Sequence, residues 1–198
     1  MLSRGDDWVF AQNLGHVVKF IGLTEDVGPV LPPDQLVRRL TTFLATAVRI
    51  VAQMPDAALD TEVPNRPRSY RVLGHHIFRI PEAMLEVAAG GYLDSQTSNL
   101  PPPDDMRSFT AIAAYGQDVL GRLQAWWGGR ADKTACDTVQ TYYGPQSLHE
   151  LMERTTWHSG QHVRQWFMLL DRAGITPVVR LDEADFADLP MPSSVWDG

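Results

Sequence analysis

Four runs of apolar residues at helical spacing, each cut off by proline or glycine, constrain this chain more than any other feature. The first follows Pro29, Pro32 and Pro33, takes Asp34 as its expected cap, and carries Leu36, Val37, Leu40, Phe43, Leu44, Ala47, Ile50 and Val51 as far as Pro55. The second starts after Ser69, with Val72, Leu73, His76, Ile77, Ile80 and Met84, and stops at Gly90-Gly91. Pro81 lies inside it and leaves the carbonyl of Ile77 without a donor, which predicts a kink or break. The third follows Pro101-Pro102-Pro103 with Asp104 and Asp105, and places Phe109, Ile112, Val119, Leu120, Leu123 and one of Trp126 and Trp127 on a stripe ending at Gly128-Gly129. The fourth opens on Ser147 with Glu150 three residues later, a capping box. Leu148, Leu151, Thr155, His158, His162, Trp166 and Leu169 then share one face until Gly174.

A helix with one apolar stripe must cover it with a neighbour, so four such helices predict an all-α four-helix bundle. Residues 33–175 form the expected bundle, 1–32 an irregular N-terminal extension and 176–198 an acidic, proline-containing tail. The segment Ala131 to Gly144 has β-branched and aromatic residues without helical period, and Tyr142-Tyr143-Gly144-Pro145 reads as a turn, so a short hairpin or loop is expected there. A chain of 198 residues is long enough for one domain with a sizeable core.

Composition narrows the function classes. With 17 Lys+Arg against 24 Asp+Glu and a net charge of −7, the chain has no basic stripe for a phosphate backbone, and nucleic acid is not an expected partner. Mean hydropathy is −0.19 and no window approaches a membrane span. Val17 to Leu23 is interrupted by Lys19 and lies behind Asp6 and Asp7, unlike a secretory signal, so the expected compartment is the cytoplasm. The single cysteine, Cys136, can make neither an intramolecular disulfide nor a cysteine-rich zinc site.

The histidines carry the chemistry. His158 and His162 are spaced i, i+4, which puts both imidazoles on one helix face, one turn apart and close enough to share a metal ion. They lie on the inward stripe, where unpartnered polar groups would be costly. Histidines hydrogen-bonded in a core are the competing reading. A third ligand would come from the His75-His76 pair. His76 falls on the apolar stripe and His75 nearer Arg71, Arg79 and Glu82, which favours His76 and keeps His75 as the alternate. Three neutral imidazoles suit zinc, nickel, iron or copper alike. His149, beside the helix cap, and His16, in the extension, read as surface or packing residues.

Arg154, one turn before His158, could contact an anionic group of a small-molecule substrate, or pair with Glu150 or Glu153. Arg164 could do the same or be a solvated surface charge. Asp132 and Asp137 argue against Cys136 as an activated nucleophile. Tyr142, Tyr143 and Trp157 either line a pocket or pack. There is no glycine-rich phosphate loop and no nucleophile elbow.

The stretch Tyr143-Gly144-Pro145-Gln146-Ser147-Leu148-His149-Glu150-Leu151, followed by Trp157-His158-Ser159-Gly160-Gln161-His162-Val163, resembles the last helix of the DinB/YfiT-like superfamily of metal-binding four-helix bundles. Leu73-Gly74-His75-His76-Ile77 resembles its second-helix histidine motif. The resemblance spans Pro33 to Arg172. It implies a bundle that holds one divalent transition metal, zinc first and nickel or iron next, through one histidine of helix two and two of helix four. Trp157 and Val163 flank His158 and His162 as the pattern requires, and on helix two the pattern fits either His75 or His76. It further implies activities such as thiol S-transfer with a low-molecular-weight thiol (bacillithiol or mycothiol), isomerisation, or metal-dependent hydrolysis. The expectation is a metal-dependent thiol S-transferase acting on an electrophilic small molecule. A hydrolase activating water, or a non-catalytic small-molecule or metal-binding protein, are the alternatives. By analogy with such bundles the assembly is expected to be a homodimer.

Overall fold

Long helices follow the four apolar runs closely. The computed structural model describes residues 2–4, 7–9, 30–64 and 66–196, the first two segments as backbone only. Strands β1 (Leu2–Arg4) and β2 (Asp7–Val9) pair antiparallel. The rest of the N-terminal extension, His16 included, lies outside the described residues. Then come α1 (Pro33–Val51), α2 (Tyr70–Ala88), β3 (Tyr92–Leu93), α3 (Phe109–Gly129), β4 (Thr138–Thr141), β5 (Gly144–Ser147), α4 (Leu148–Arg172) and the short α5 (Glu183–Phe186), with 3-10 turns at Asp56–Ala58 and Thr97–Asn99.

The ends of these helices follow from local chemistry. Ser69 and Ser108 cap α2 and α3, each hydroxyl accepting from the third residue on, Val72 at 3.4 Å and Ala111 at 3.0 Å. The capping box of Ser147 and Glu150 is present at α4. Two expectations are corrected. Asp34 is not the cap of α1: Pro32 holds that position, Pro33 opens the helix, and the Asp34 carboxylate instead accepts a hydrogen bond from Trp127 Nε1 at 2.8 Å. Proline at the first helical position costs nothing because its missing N–H would be unpaired there anyway. Pro81 does not break α2, which runs on to Ala88. Its ring is buried among the other core residues of the helix, and that packing offsets the lost backbone bond and the ring's crowding of the Ile77 carbonyl, together about 3 kcal/mol.

Packing of the four helices is not that of a simple up-and-down bundle. α1 packs against α3 and α4, and α2 packs against the same two, whereas α1 and α2 barely touch and α3 and α4 have no substantial contact. Helices adjacent in sequence are thus diagonal in space in both halves, and the connections 52–69 and 130–147 cross the end of the bundle. Close approach is permitted by glycine. A Cβ on Gly116 of α3 would come within 2.4 Å of the Phe78 ring on α2, and one on Gly160 of α4 within 2.9 Å of Phe43 on α1.

Leu36, Leu40, Phe43, Leu44 and Ile50 of α1 are at most 1% exposed, each contributing about 1.5–3 kcal/mol by burial. Trp166 of α4 stands at the centre, fully buried, its indole N–H donating to the Ile50 carbonyl at 3.1 Å and its ring meeting Phe109 edge-on at 5.6 Å.

The expected hairpin is β4–β5, turning at Tyr142-Tyr143, where Gly144 takes φ +105°. β3 adds in parallel beside β4, making a small three-stranded sheet. That sheet feeds directly into the capping box and so fixes where α4 begins. After α4 the chain returns along it. Gln161 Nε2 donates to the carbonyls of Ser194 (3.0 Å) and Val195 (2.7 Å), and Arg164 donates to Pro192 (2.8 Å).

Candidate metal centre

Because α2 and α4 are neighbours, the inward histidines of the two helices meet. One ring nitrogen from each of His76, His158 and His162 lies within 4.8 Å of the others. Ring centroids are 5.0 Å apart for His76 and His162, 5.8 Å for His76 and His158, and 4.6 Å for His158 and His162. His76 and His162 are buried and His158 half-buried. His75 does not join them. It stacks on Tyr115 of α3, centroids 4.9 Å apart and planes 14° apart.

The three imidazoles are neutral. Burial drives His76 down to about 2 and His158 to about 3, and holds His162 well below its ordinary 6.5; neighbouring imidazoles and the cation Arg68 push each in the same direction. The leading charges acting on these rings are neighbouring imidazoles and arginines. Each ring therefore keeps a lone pair.

Gln165 decides how His162 presents its own. The Gln165 amide N–H donates to the Val195 carbonyl at 3.1 Å, which turns its oxygen toward His162 Nδ1, 2.7 Å away. His162 Nδ1–H donates to that oxygen, so Nε2 is the unprotonated nitrogen. His162 Nε2 and His158 Nδ1 are buried and have no hydrogen-bond partner. Unpartnered ring nitrogens on two imidazoles whose centroids are 4.6 Å apart are costly in a packed interior unless something outside the protein takes up their hydrogen-bonding or ligating capacity. The donor set fits a divalent transition metal: three imidazoles, one with the outer hydrogen bond typical of a metal-bound histidine.

Other groups surround the centre. Trp157 stacks on His158, centroids 5.5 Å apart. Arg154 lies over the ring of Tyr143, 5.2 Å from its centroid, and both sequence-predicted residues therefore sit one turn ahead of His158. Arg164 is not a free surface charge: besides Pro192 it bonds the Gln161 amide oxygen at 3.1 Å, clamping the C-terminal segment. His149 Nε2 lies 2.8 Å from the Leu31 carbonyl. Cys136 is exposed in the loop before β4.

Sequence reasoning missed Gln165, three residues after His162, where only the i, i+3 spacing could have signalled it. It also missed Arg68, which lies in the loop just ahead of the α2 cap. A cation is electrostatically misplaced at a helix N-terminus, and that was the available signal.

The diagonally connected four-helix bundle has a likeness in fold among solved structures. YfiT from Bacillus subtilis, described as a probable metal-dependent hydrolase with an unusual four-helix bundle topology, is a solved structure with this fold. It superimposes with a TM-score of 0.53 over 73% of this chain and 89% of its own, at 18% sequence identity. No family model and no curated protein matches the chain. No helix among the described residues is long and apolar enough to cross a membrane.

Proposed function

We propose that the chain is a metal-dependent enzyme whose His76, His158 and His162 hold one divalent transition metal, zinc foremost with nickel and iron as the other choices, and which acts on a small molecule. The observation that carries this reading is the convergence of three neutral imidazoles, two of them with a buried, unpartnered ring nitrogen. Bound there, the metal would supply Lewis-acid chemistry, lowering the pKa of a nucleophile and stabilising its anion. The protein's own part is to keep the imidazoles unprotonated by burial, to fix the His162 tautomer through Gln165, and to wall the site with Trp157.

Two nucleophiles remain in competition. Hydrolysis by water is supported by the likeness of the fold to YfiT, a probable metal-dependent hydrolase. Thiol S-transfer is the other, and it asks less of a general base. A thiol, with an ordinary pKa of about 8.5, needs less help to ionise than water does.

Elemental mass spectrometry on untagged protein tests the metal site. About one ion per chain in the wild type, lost in His76→Ala, His158→Ala and His162→Ala variants that keep their helical circular dichroism, is the expected result. A wild type that takes up no metal on reconstitution would overturn the reading. Ester and amide turnover without thiol then identifies a hydrolase, and electrophile consumption only with thiol identifies a transferase.

A further inference from the structure

Arg68 is oddly placed. Its backbone is locked into the loop ahead of α2, with Val63 N–H donating to the Arg68 carbonyl at 2.8 Å and Glu62 bridging to Ser69. Its side chain is half-buried, its Nε is buried without a partner, and no carboxylate among the described residues pairs with it. Arg71, close by, shows the usual alternative, since its guanidinium is taken up by the carbonyls of Pro102, Pro103 and Met106. A half-desolvated guanidinium left without an anion is costly, and an anion arriving from outside would relieve that cost.

The surroundings agree. The positive field of Arg68 reaches all three histidines of the centre, that of Arg154 reaches His158, and that of Arg66 reaches His162. Arg154 Nε is also buried without a partner. In a chain of net charge −7, Arg68 and Arg154 each present a buried, unpartnered Nε and act on the same histidine, His158. A divalent ion on three neutral imidazoles would add positive charge there rather than relieve it.

We infer that Arg68, assisted by Arg154, holds an oxyanion of the substrate, a carboxylate or phosphate group, beside the three histidines. The inference rests on the metal-site reading for where the reacting end of the substrate lies. The planar guanidinium suits such an oxyanion because it can donate two parallel N–H bonds to it. Substrates that lack the anionic group would then lose affinity at a part of the molecule that takes no part in the chemistry.

Calorimetric titration with inorganic phosphate and with succinate, on metal-reconstituted and chelator-stripped protein, tests this and separates the two oxyanions. The wild type should bind at least one of them, and Arg68→Gln should weaken that binding about tenfold or more while metal content stays at the wild-type value. Arg68→Lys should fall between, and the exposed Arg38→Gln should bind as the wild type does. Arg68→Gln binding within about twofold of the wild type, or a wild type that binds neither anion, would overturn the inference. Failure of the metal reading is seen separately, in the metal content. Arg68-dependent binding to the stripped protein would then still uphold the anion site.

Discussion

Acidifying the metal-free protein from about pH 7.5 to about pH 5.5 should remove much of its stability, for a reason that can be traced to particular rings. His75, His76 and His158 are pushed by burial to about 4, about 2 and about 3, and His162 well below 6.5, while all four would titrate at 6.5 in the unfolded chain. With folded values depressed, the unfolded state takes up protons that the native state refuses. Stability is therefore complete above 6.5 and is lost as pH falls from there towards the folded values. Each pH unit below 6.5 costs about 1.4 kcal/mol per histidine, so four of them at pH 5.5 remove about 5 kcal/mol. That approaches the whole stability of a small domain, about 5–15 kcal/mol. Carboxylates are almost fully ionised in both states over this window, so the slope reports the imidazoles. Urea unfolding in the presence of chelator at the two pH values measures the difference. A loss below about 1.5 kcal/mol, the share of one histidine, would mean that these rings are hydrated or already charged in the native state, and the description of the site would fail.

Gln165→Leu should weaken metal affinity by about 10–100-fold in competition with a chromophoric chelator, because His162 loses the acceptor that fixes its tautomer. Arg79→Ala should destabilise by about 1–3 kcal/mol in chemical denaturation. Arg79 is only 4% exposed and holds Glu82, Glu86 and the Thr97 carbonyl, so its removal leaves that carbonyl unpaired and the half-buried Glu82 with Arg122 and Tyr115 alone, while the exposed Glu86 turns to water. Ser147→Ala should cost about 1 kcal/mol in the same assay by opening the capping box of α4.

The helices were legible in the sequence because their signals are local. Proline and glycine punctuation, serine caps and an i, i+3 capping box act within one turn, and Phe109–Gly129 and the start of α4 fall where those signals put them. His158 and His162 were legible for the same reason, since i, i+4 spacing on a helix is geometry that needs no tertiary knowledge. The role of Asp34 was not, because its partner Trp127 is distant in the chain and reaches it only through the packing of α1 on α3. The continuity of α2 through Pro81 likewise depends on what buries the ring. Gln165 is in the same position: its amide orientation is set by the Val195 carbonyl, which the C-terminal segment delivers only after folding back along α4. Arg68 is illegible for a related reason, since a missing partner is visible only when every neighbour has been placed.

The diagonal wiring of the bundle bears on how the chain reaches its native state. Neither α1 with α2 nor α3 with α4 shares an extensive contact, so no helical hairpin in either half can cover its own apolar stripes. The first two helices must await α3, which packs on both, before either is stabilised by helix packing, so the earliest packed unit forms only after more than half of the chain has been made. A nick in the segment 89–108 would yield two fragments, each a pair of mutually indifferent helices. Each would be unstructured alone, and they would fold on mixing into one cooperative unit.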